Sequence, residues 1–156
     1  KAGVPTIEMG LRPSRGENWL PRKANHVGGA DLLHPPAHPD FWVKRETILR
    51  EFRIHSFKGK SIRAGMKVPR IPNPHEWIRS WDGGWRISYG AHRIPDKVRK
   101  LAHQTVKVLG LDFAAVDIGE LTNGKLIVLE ANRAPGIEGG TIEKYATAIR
   151  AWMEAQ

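Results

Sequence analysis

No cysteine occurs among the 156 residues, which excludes a disulfide framework and any Cys–His nucleophile pair. That absence leaves the compartment open, with the cytoplasm as the default expectation. No apolar run approaches the ~20 residues of a membrane span, and no secretory leader is visible, so no membrane partner is expected. Low-complexity segments are missing, internal repeats go no further than two hairpins, and no Ser-His-Asp arrangement suggests a covalent nucleophile. Acidic residues are also scarce, 16 against 25 Lys and Arg, giving a formal charge of +9. Such a surplus suits nucleic acid, nucleotide phosphates or an acidic substrate, and the charge alone does not choose among them. What remains is 40% hydrophobic with regular Gly and Pro. It describes a soluble globular chain forming one domain, or two small lobes sharing a core.

The most informative stretch is Asp112–Gly136, DFAAVDIGELTNGKLIVLEANRAPG. Two apolar-rich runs flank Asn123-Gly124, a dipeptide suited to a type I′ turn because both central residues need φ > 0. A two-residue turn sets Asp117 directly across from Glu130, and Asn132, two residues on, shares their face. Opposed carboxylates repel at roughly 5 Å, so something must offset them. A divalent cation would do so, and two carboxylates with one amide suit Mg²⁺, which keeps waters and takes phosphate oxygens as further ligands. Protonation of one acid, or pairing with a nearby Arg or Lys, is the alternative. If the acids simply repel, Asp117→Asn should slightly stabilise the ligand-free protein.

LGLDFAAVDI followed by LIVLEANRAPGIEGGT resembles the C-terminal signature of the ATP-grasp carboxylate–amine ligases, in particular the ribosomal-protein glutamate ligases and ATP-grasp proteins of phage genomes. The resemblance implies an α+β ATP-grasp catalytic core, with two lobes of antiparallel strands and helices. It gives Asp117, Glu130 and Asn132 the task of holding Mg²⁺–ATP, with Mn²⁺ as an alternative ion. It further implies that ATP phosphorylates a carboxylate substrate and that an amine acceptor then attacks the acylphosphate.

The remaining candidate residues follow from the same resemblance. In AGVPT (2–6), NWLPRK (18–23) and the Gly28-Gly29 pair it sees the entry strand, a basic strand and a phosphate lid, with Arg22 or Lys23 on phosphate. Glycines let backbone N–H groups approach phosphate, although a lone Gly-Gly is more often a turn. Phe41–Glu46 matches a hinge strand against adenine, which makes Lys44 and Glu46 nucleotide contacts; Phe41 and Trp42 read equally well as core. Arg53, in REFRIH, and Lys67 are candidate catalytic cations, as is Arg133 beyond the metal hairpin. The small lobe would cover residues 1–46 and the large lobe 47–156.

The second hairpin is legible without any relative. Arg50–Phe57 alternates, Lys58-Gly59 turns and Lys60–Val68 returns. Phe52 and Ile54 mark one face; Glu51, Arg53 and His55 mark the other, and such a row is usually solvated. A plain two-residue turn sets Lys67 on the face opposite Arg53, so joint service of the two requires a bulge. Residues 69–90 read as loop with Trp77, Trp81 and Trp85, which fit either a small core or stacking on single-stranded nucleic acid. His34 and His38 lie among prolines that forbid a metal-binding helix.

Pro95–Leu109 is the clearest helix, with a stripe of Val98, Leu101, Ala102, Thr105 and Leu109, closed by Gly110. A last helix is expected after a Thr141 N-cap, burying Ile142, Tyr145, Ala146, Ile149, Trp152 and Met153. The start at Lys1 and the few residues before the glycine loop lead to the expectation of a missing N-terminal domain or partner chain. The alternative function is a non-catalytic basic module of ATP-grasp descent, for which nucleic acid or a protein assembly would be the partner.

Overall fold

The computed structural model describes residues 3–13, 18–24 and 36–156. The expected lid at Gly28 and Gly29, and His34, lie outside them. A small antiparallel sheet is formed by β1 (Met9–Gly10), β2 (Trp19–Arg22) and β3 (Phe41–Lys44) in the order β1-β3-β2. The larger sheet comprises β4 (Ile48–Phe57), β5 (Lys60–Pro69), β6 (Trp85–Tyr89), β7 (Phe113–Leu121) and β8 (Leu126–Asn132). Its order is β6-β5-β4-β7-β8, with every pair antiparallel. Helix α1 (Asp96–Val108) precedes β7, and α2 (Gly140–Glu154) follows β8. The expected α+β class of antiparallel strands with two helices is what the chain forms. Among the described residues no helix is long and apolar enough to cross a membrane.

The large sheet has one apolar and one polar face because its strands alternate. Phe52, Ile54, Val116 and Ile118 point to the apolar face, where Val98, Leu101, Ala102 and Val106 of α1 cover them. Each of these side chains other than Ala102 contributes roughly 1.5–3 kcal/mol on removal from water, before conformational entropy is counted. The helical stripe differs from expectation at one place: Leu109 is 53% exposed, and Val106 takes its share of the core. Leu109 is the C-cap, past the last full turn, and Gly110 follows in the left-handed region at φ +64° as its C′ position requires.

Helix α2 departs further from its expected pattern. It begins at Gly140 with Gly139 as N-cap, so Thr141 is not the cap. Thr141 is buried instead and accepts a hydrogen bond from Arg63 Nη1 at 2.5 Å. Tyr145 is buried as expected, whereas Ile142, Ile149, Trp152 and Met153 stay exposed. The helix touches the end of the sheet's polar face through its first turns, and among the described residues its last turn reaches the sheet only where Trp152 meets the Phe57 ring edge-on at 6.2 Å between centroids.

The hairpins carry the polar face, and each contains a one-residue bulge. In β4–β5 both turn residues lie at positive φ, Lys58 at 47° and Gly59 at 73°, as a type I′ turn needs. Register then slips between His55 and Ser56, so His55 opposes Arg63 and Arg53 opposes Gly65. That slip moves Lys67 to the face of Arg53. In β7–β8 the type I′ turn expected at Asn123-Gly124 is absent, since only Gly124 has positive φ, at 78°. Leu121 N donates to Lys125 O at 2.8 Å, which makes a three-residue loop closed by a glycine. A second slip, between Asp117 and Ile118, restores the pairing of Asp117 with Glu130. The expected opposition of the acids holds through two compensating offsets instead of a two-residue turn.

Gly65 shapes the polar face by having no side chain. A Cβ there would stand 2.6 Å from Ile87 Cγ2, 2.8 Å from Tyr89 Cδ1 and 2.9 Å from the Ser88 carbonyl oxygen. The backbone oxygen cannot retreat without breaking β5–β6 pairing. Gly65→Ala should therefore cost about 1–3 kcal/mol, read as a lower urea midpoint with an unchanged m-value.

Candidate active site

On the polar face Asp117 (β7), Arg53 (β4) and Gly65 (β5) form one cross-strand row. Arg53 grips both oxygens of Asp117, Nε to Oδ1 at 2.7 Å and Nη2 to Oδ2 at 2.7 Å. This planar fork is the strong form of an ion pair. Lys67 Nζ lies 3.5 Å from Asp117 Oδ2 and donates to Glu51 Oε1. Asp117, Glu51, Lys67 and Arg53 thus make a compact quartet of two anions and two cations. Glu51 and Asp117 are buried. The row of ionisable residues on β4, expected to be solvated, is largely enclosed.

The field within the quartet is unequal. Burial would lift the Asp117 carboxyl, but the Arg53 hydrogen bonds and the Lys67 charge outweigh it and hold the group below the usual carboxylate range. Burial raises Glu51, and Lys67, shared with Asp117, offsets only part of that rise. Arg79 stands near Glu51 and stacks on Trp85, its guanidinium 4.6 Å from the ring centroid.

Beside the quartet, His55 is sealed between two phenols. Its Nδ1 lies 3.2 Å from the Tyr145 hydroxyl and its Nε2 3.0 Å from the Tyr89 hydroxyl. The room for Tyr89 to lean inward comes from Gly65. Burial first, then the Arg53 and Arg63 charges, lower the His55 pKa to about 4. Burial, with Tyr89 nearby, raises Tyr145 to about 12. The three rings are therefore neutral at pH 7.

The structure gathers some of the candidate residues and not others. Asp117, Glu130, Arg53 and Lys67 share the polar face. Glu130 pairs in register with Asp117 but is exposed, and it makes no hydrogen bond or ion pair among the described residues. Asn132, at the end of β8, accepts from Ala134 N through Oδ1 at 2.8 Å. Arg133 is exposed just beyond it. Arg22, Lys23, Lys44 and Glu46 belong to the small sheet or its margins; Lys23 Nζ donates to Asp40 at 3.2 Å, and Lys44 Nζ to Glu8 at 3.4 Å. Glu51, His55, Tyr89 and Tyr145 were not singled out as site residues. The alternation of WRISY at 85–89 carried a signal for β6 and Tyr89 that the three tryptophans obscured.

The donor set fits a hard divalent ion in chemistry, since every side-chain ligand is oxygen and the two acids are opposed. Among the described residues no three His, Cys, Asp or Glu side chains form a metal cluster, so any ion would rest on Glu130 and Asn132 together with an Asp117 that already has cationic partners. Pairing with Arg, one of the two readings of the opposed acids, is thus present for Asp117, while Glu130 keeps its oxygens open.

Two outcomes follow. Asp117→Asn would strand the half-buried Arg53 without its anion and leave Lys67 to Glu51 alone, so a loss of about 3 kcal/mol is expected in place of the slight gain that repulsion alone implies. Chemical denaturation measures it, and a stabilised variant would refute the pairing. The second outcome concerns pH. The unfolded chain protonates His55 near 6.5, whereas the folded chain resists until about 4. The folded state therefore binds fewer protons in that window, and stability falls as pH drops from about 6.5 to 4. At ~1.4 kcal/mol per pH unit the loss is on the order of 3 kcal/mol. His55→Gln should flatten the curve of melting temperature against pH across this window; an unchanged slope would show that His55 is not buried in neutral form.

No protein-family model matches the chain. A probable alpha-L-glutamate ligase of Klebsiella pneumoniae (strain 342) is 42% identical over 67 residues, 41% of this chain and 22% of that protein. The probable alpha-L-glutamate ligase 1 of Shewanella oneidensis is 53% identical over 47 residues, 30% of this chain and 15% of that protein. These matches span less than a quarter of either curated relative. Among solved structures, the ATP-grasp ligase PsnB complexed with minimal precursor, Mg and ADP superposes with a TM-score of 0.63 at 17% identity, over 95% of this chain and 54% of that one. The N5-carboxyaminoimidazole ribonucleotide synthetase of Thermotoga maritima gives 0.59 at 16% identity, over 97% and 45%. The D-cycloserine synthetase DcsG gives 0.60 at 15% identity, over 95% and 65%. The chain has the ATP-grasp fold, and its matched segments are similar to the two probable alpha-L-glutamate ligases.

Proposed function

We propose that the chain is the nucleotide-handling part of an ATP- and Mg²⁺-dependent ligase that joins a carboxylate to an amine. The observation that carries this reading is the register that sets exposed Glu130 opposite Asp117 on the charged face of an ATP-grasp sheet. Support comes from the two glutamate-ligase relatives, and from PsnB, which is described in complex with Mg and ADP. In the reaction, a carboxylate oxygen attacks the γ-phosphorus of ATP and the bond to ADP breaks. The amine nitrogen then attacks the acyl carbon, the C–O bond to phosphate breaks, and the nitrogen gives up a proton as the C–N bond forms.

Each residue in the row has a part. Arg53 and Lys67, cations of a quartet whose charges balance, would supply fixed donors where the phosphoryl oxygens gain negative charge. Glu130, Asn132 and Asp117 would hold the divalent ion, which when bound neutralises the phosphate chain. Arg133, exposed after β8, would be a further catalytic cation at the rim. Arg22 or Lys23, with Lys44, Glu46 and the glycine pair 28–29, would complete the nucleotide site from the small sheet.

The second reading, a non-catalytic polyanion-binding module, draws on the charge of +9. Exposed Trp77 and Trp81 are already stacked under Arg45 and Arg70, at 3.7 and 4.2 Å from guanidinium carbon to ring centroid. One face of each indole is therefore taken by a cation, which weakens the case for base stacking there. Salt separates the readings: polyanion binding should fall steeply with ionic strength and need no Mg²⁺.

Mg²⁺–ATP should raise the melting temperature, because a ligand bound only to the folded state stabilises it by mass action. At a ligand concentration of ~100 times Kd the gain is about 2.7 kcal/mol. In Glu130→Gln, an exposed position where folding should be little affected, most of that rise should vanish. A rise of the same size in the variant would take Glu130 out of the site.

A further inference from the structure

A second concentration of charge lies at the open edge of β5, between α1 on one side of the sheet and α2 on the other. One row further along the sheet, where His55 opposes Arg63, the chain leaves a recess of about 400 Å³. It opens because β6 pairs with β5 only from Gly65 onward, and Gly90, at φ +86°, turns the chain away. Residues 62–64 of β5 are therefore an unpaired edge among the described residues. Tyr89, Arg63, Arg99, Gly140, Glu143 and Lys144 complete the walls.

The cations of the recess differ from those of the quartet. Among the described residues none of Arg63, Arg99 and Lys144 has a carboxylate within ion-pair distance. Two of them are held in place by uncharged groups. Arg63 bonds Thr141 and lies 3.8 Å from the Tyr89 ring centroid, and Arg99 Nη1 donates to Ser61 Oγ at 2.9 Å. Both residues are half-buried. Ordered guanidinium groups without an anion recognise planar carboxylates well. Glu143 stands at the rim and disfavours a doubly charged guest more than a singly charged one.

The distance to the reacting region limits what can lie in the recess. Two residues along a strand is about 7 Å, and neighbouring strands are about 4.8 Å apart, so recess and Asp117–Arg53 row are on the order of 10 Å apart. At ~3.4 Å per extended residue this is roughly three residues. A single amino acid cannot bridge it.

We propose that the recess binds the carboxylate of a short peptide about three residues long, whose reacting end lies over the Asp117–Arg53 row. This rests on the ligase reading above and adds the substrate class and its anchoring cations, Arg63, Arg99 and Lys144. The test is an NMR titration of the full chain that follows the guanidinium Nε–H signals of Arg53, Arg63 and Arg99. Tri-alanine should shift the Arg63 and Arg99 signals and saturate, and its C-terminal amide should bind at least about tenfold more weakly. Tri-alanine should also move the Arg53 signal, which alanine should not. Arg63→Gln should abolish the preference for acid over amide, and the more exposed Lys144→Gln should reduce it if Arg63→Gln fails to fold.

Equal binding of acid and amide, or a preference that survives in the variants, would overturn the proposal. So would inorganic phosphate binding more tightly than tri-alanine, or alanine shifting Arg53 as strongly as the tripeptide does. Mg²⁺–ATP affinity, measured on the same variants, should match the unsubstituted protein. If no protein binds Mg²⁺–ATP while the peptide preference is present, the ligase reading fails and the carboxylate recess stands.

Discussion

The polar face is organised by the cost of burying Asp117. A carboxylate in mid-sheet must be neutralised, and the chain does so with a two-pronged Arg53 and a nearby Lys67. Lys67 in turn neutralises Glu51. These charges occupy the centre of a five-stranded sheet whose opposite face is the hydrophobic core. The core fixes strand positions, strand positions fix which side chains share a face, and the shared face fixes the charges. Charges fixed in this way are ordered by the strands that carry them and not by a ligand.

Much of this was legible in the sequence. Alternation in REFRIHSF separates Phe52 and Ile54 from Glu51, Arg53 and His55, and the structure keeps that division. The helix over Pro95–Leu109 was readable because its apolar stripe and terminal glycine agree. The last helix departs from its apolar spacing because spacing tells which residues align, not how much surface is there to cover them. Its stripe is real, and only Tyr145 of the residues assigned to it is buried.

Bulges were the least legible feature. Neither Ile62 nor Leu129, the residues left over by the register slips, is a glycine or proline that would mark the place. Each slip nonetheless decides a face: without the first, Lys67 would point into the core side, and without the second, Glu130 would turn away from Asp117. The Asn-Gly turn led to the right opposition by a geometry the chain does not use. The charged residues carried the better signal, since a Lys on the wrong face of a two-faced sheet already implies a bulge.

The segment before the small sheet has a mechanical consequence. Val128 N donates to Pro5 O at 2.8 Å and Ile7 N donates to Val128 O at 3.3 Å, so a short parallel strap grips β8 at one residue. That residue immediately precedes Leu129, the residue left over by the slip, and lies two positions before Glu130. Met9, where the small sheet begins, is two residues beyond Ile7. The strap thus ties the chain that enters the small sheet to the strand that carries the open carboxylate, beside the residue at which that strand's pairing slips.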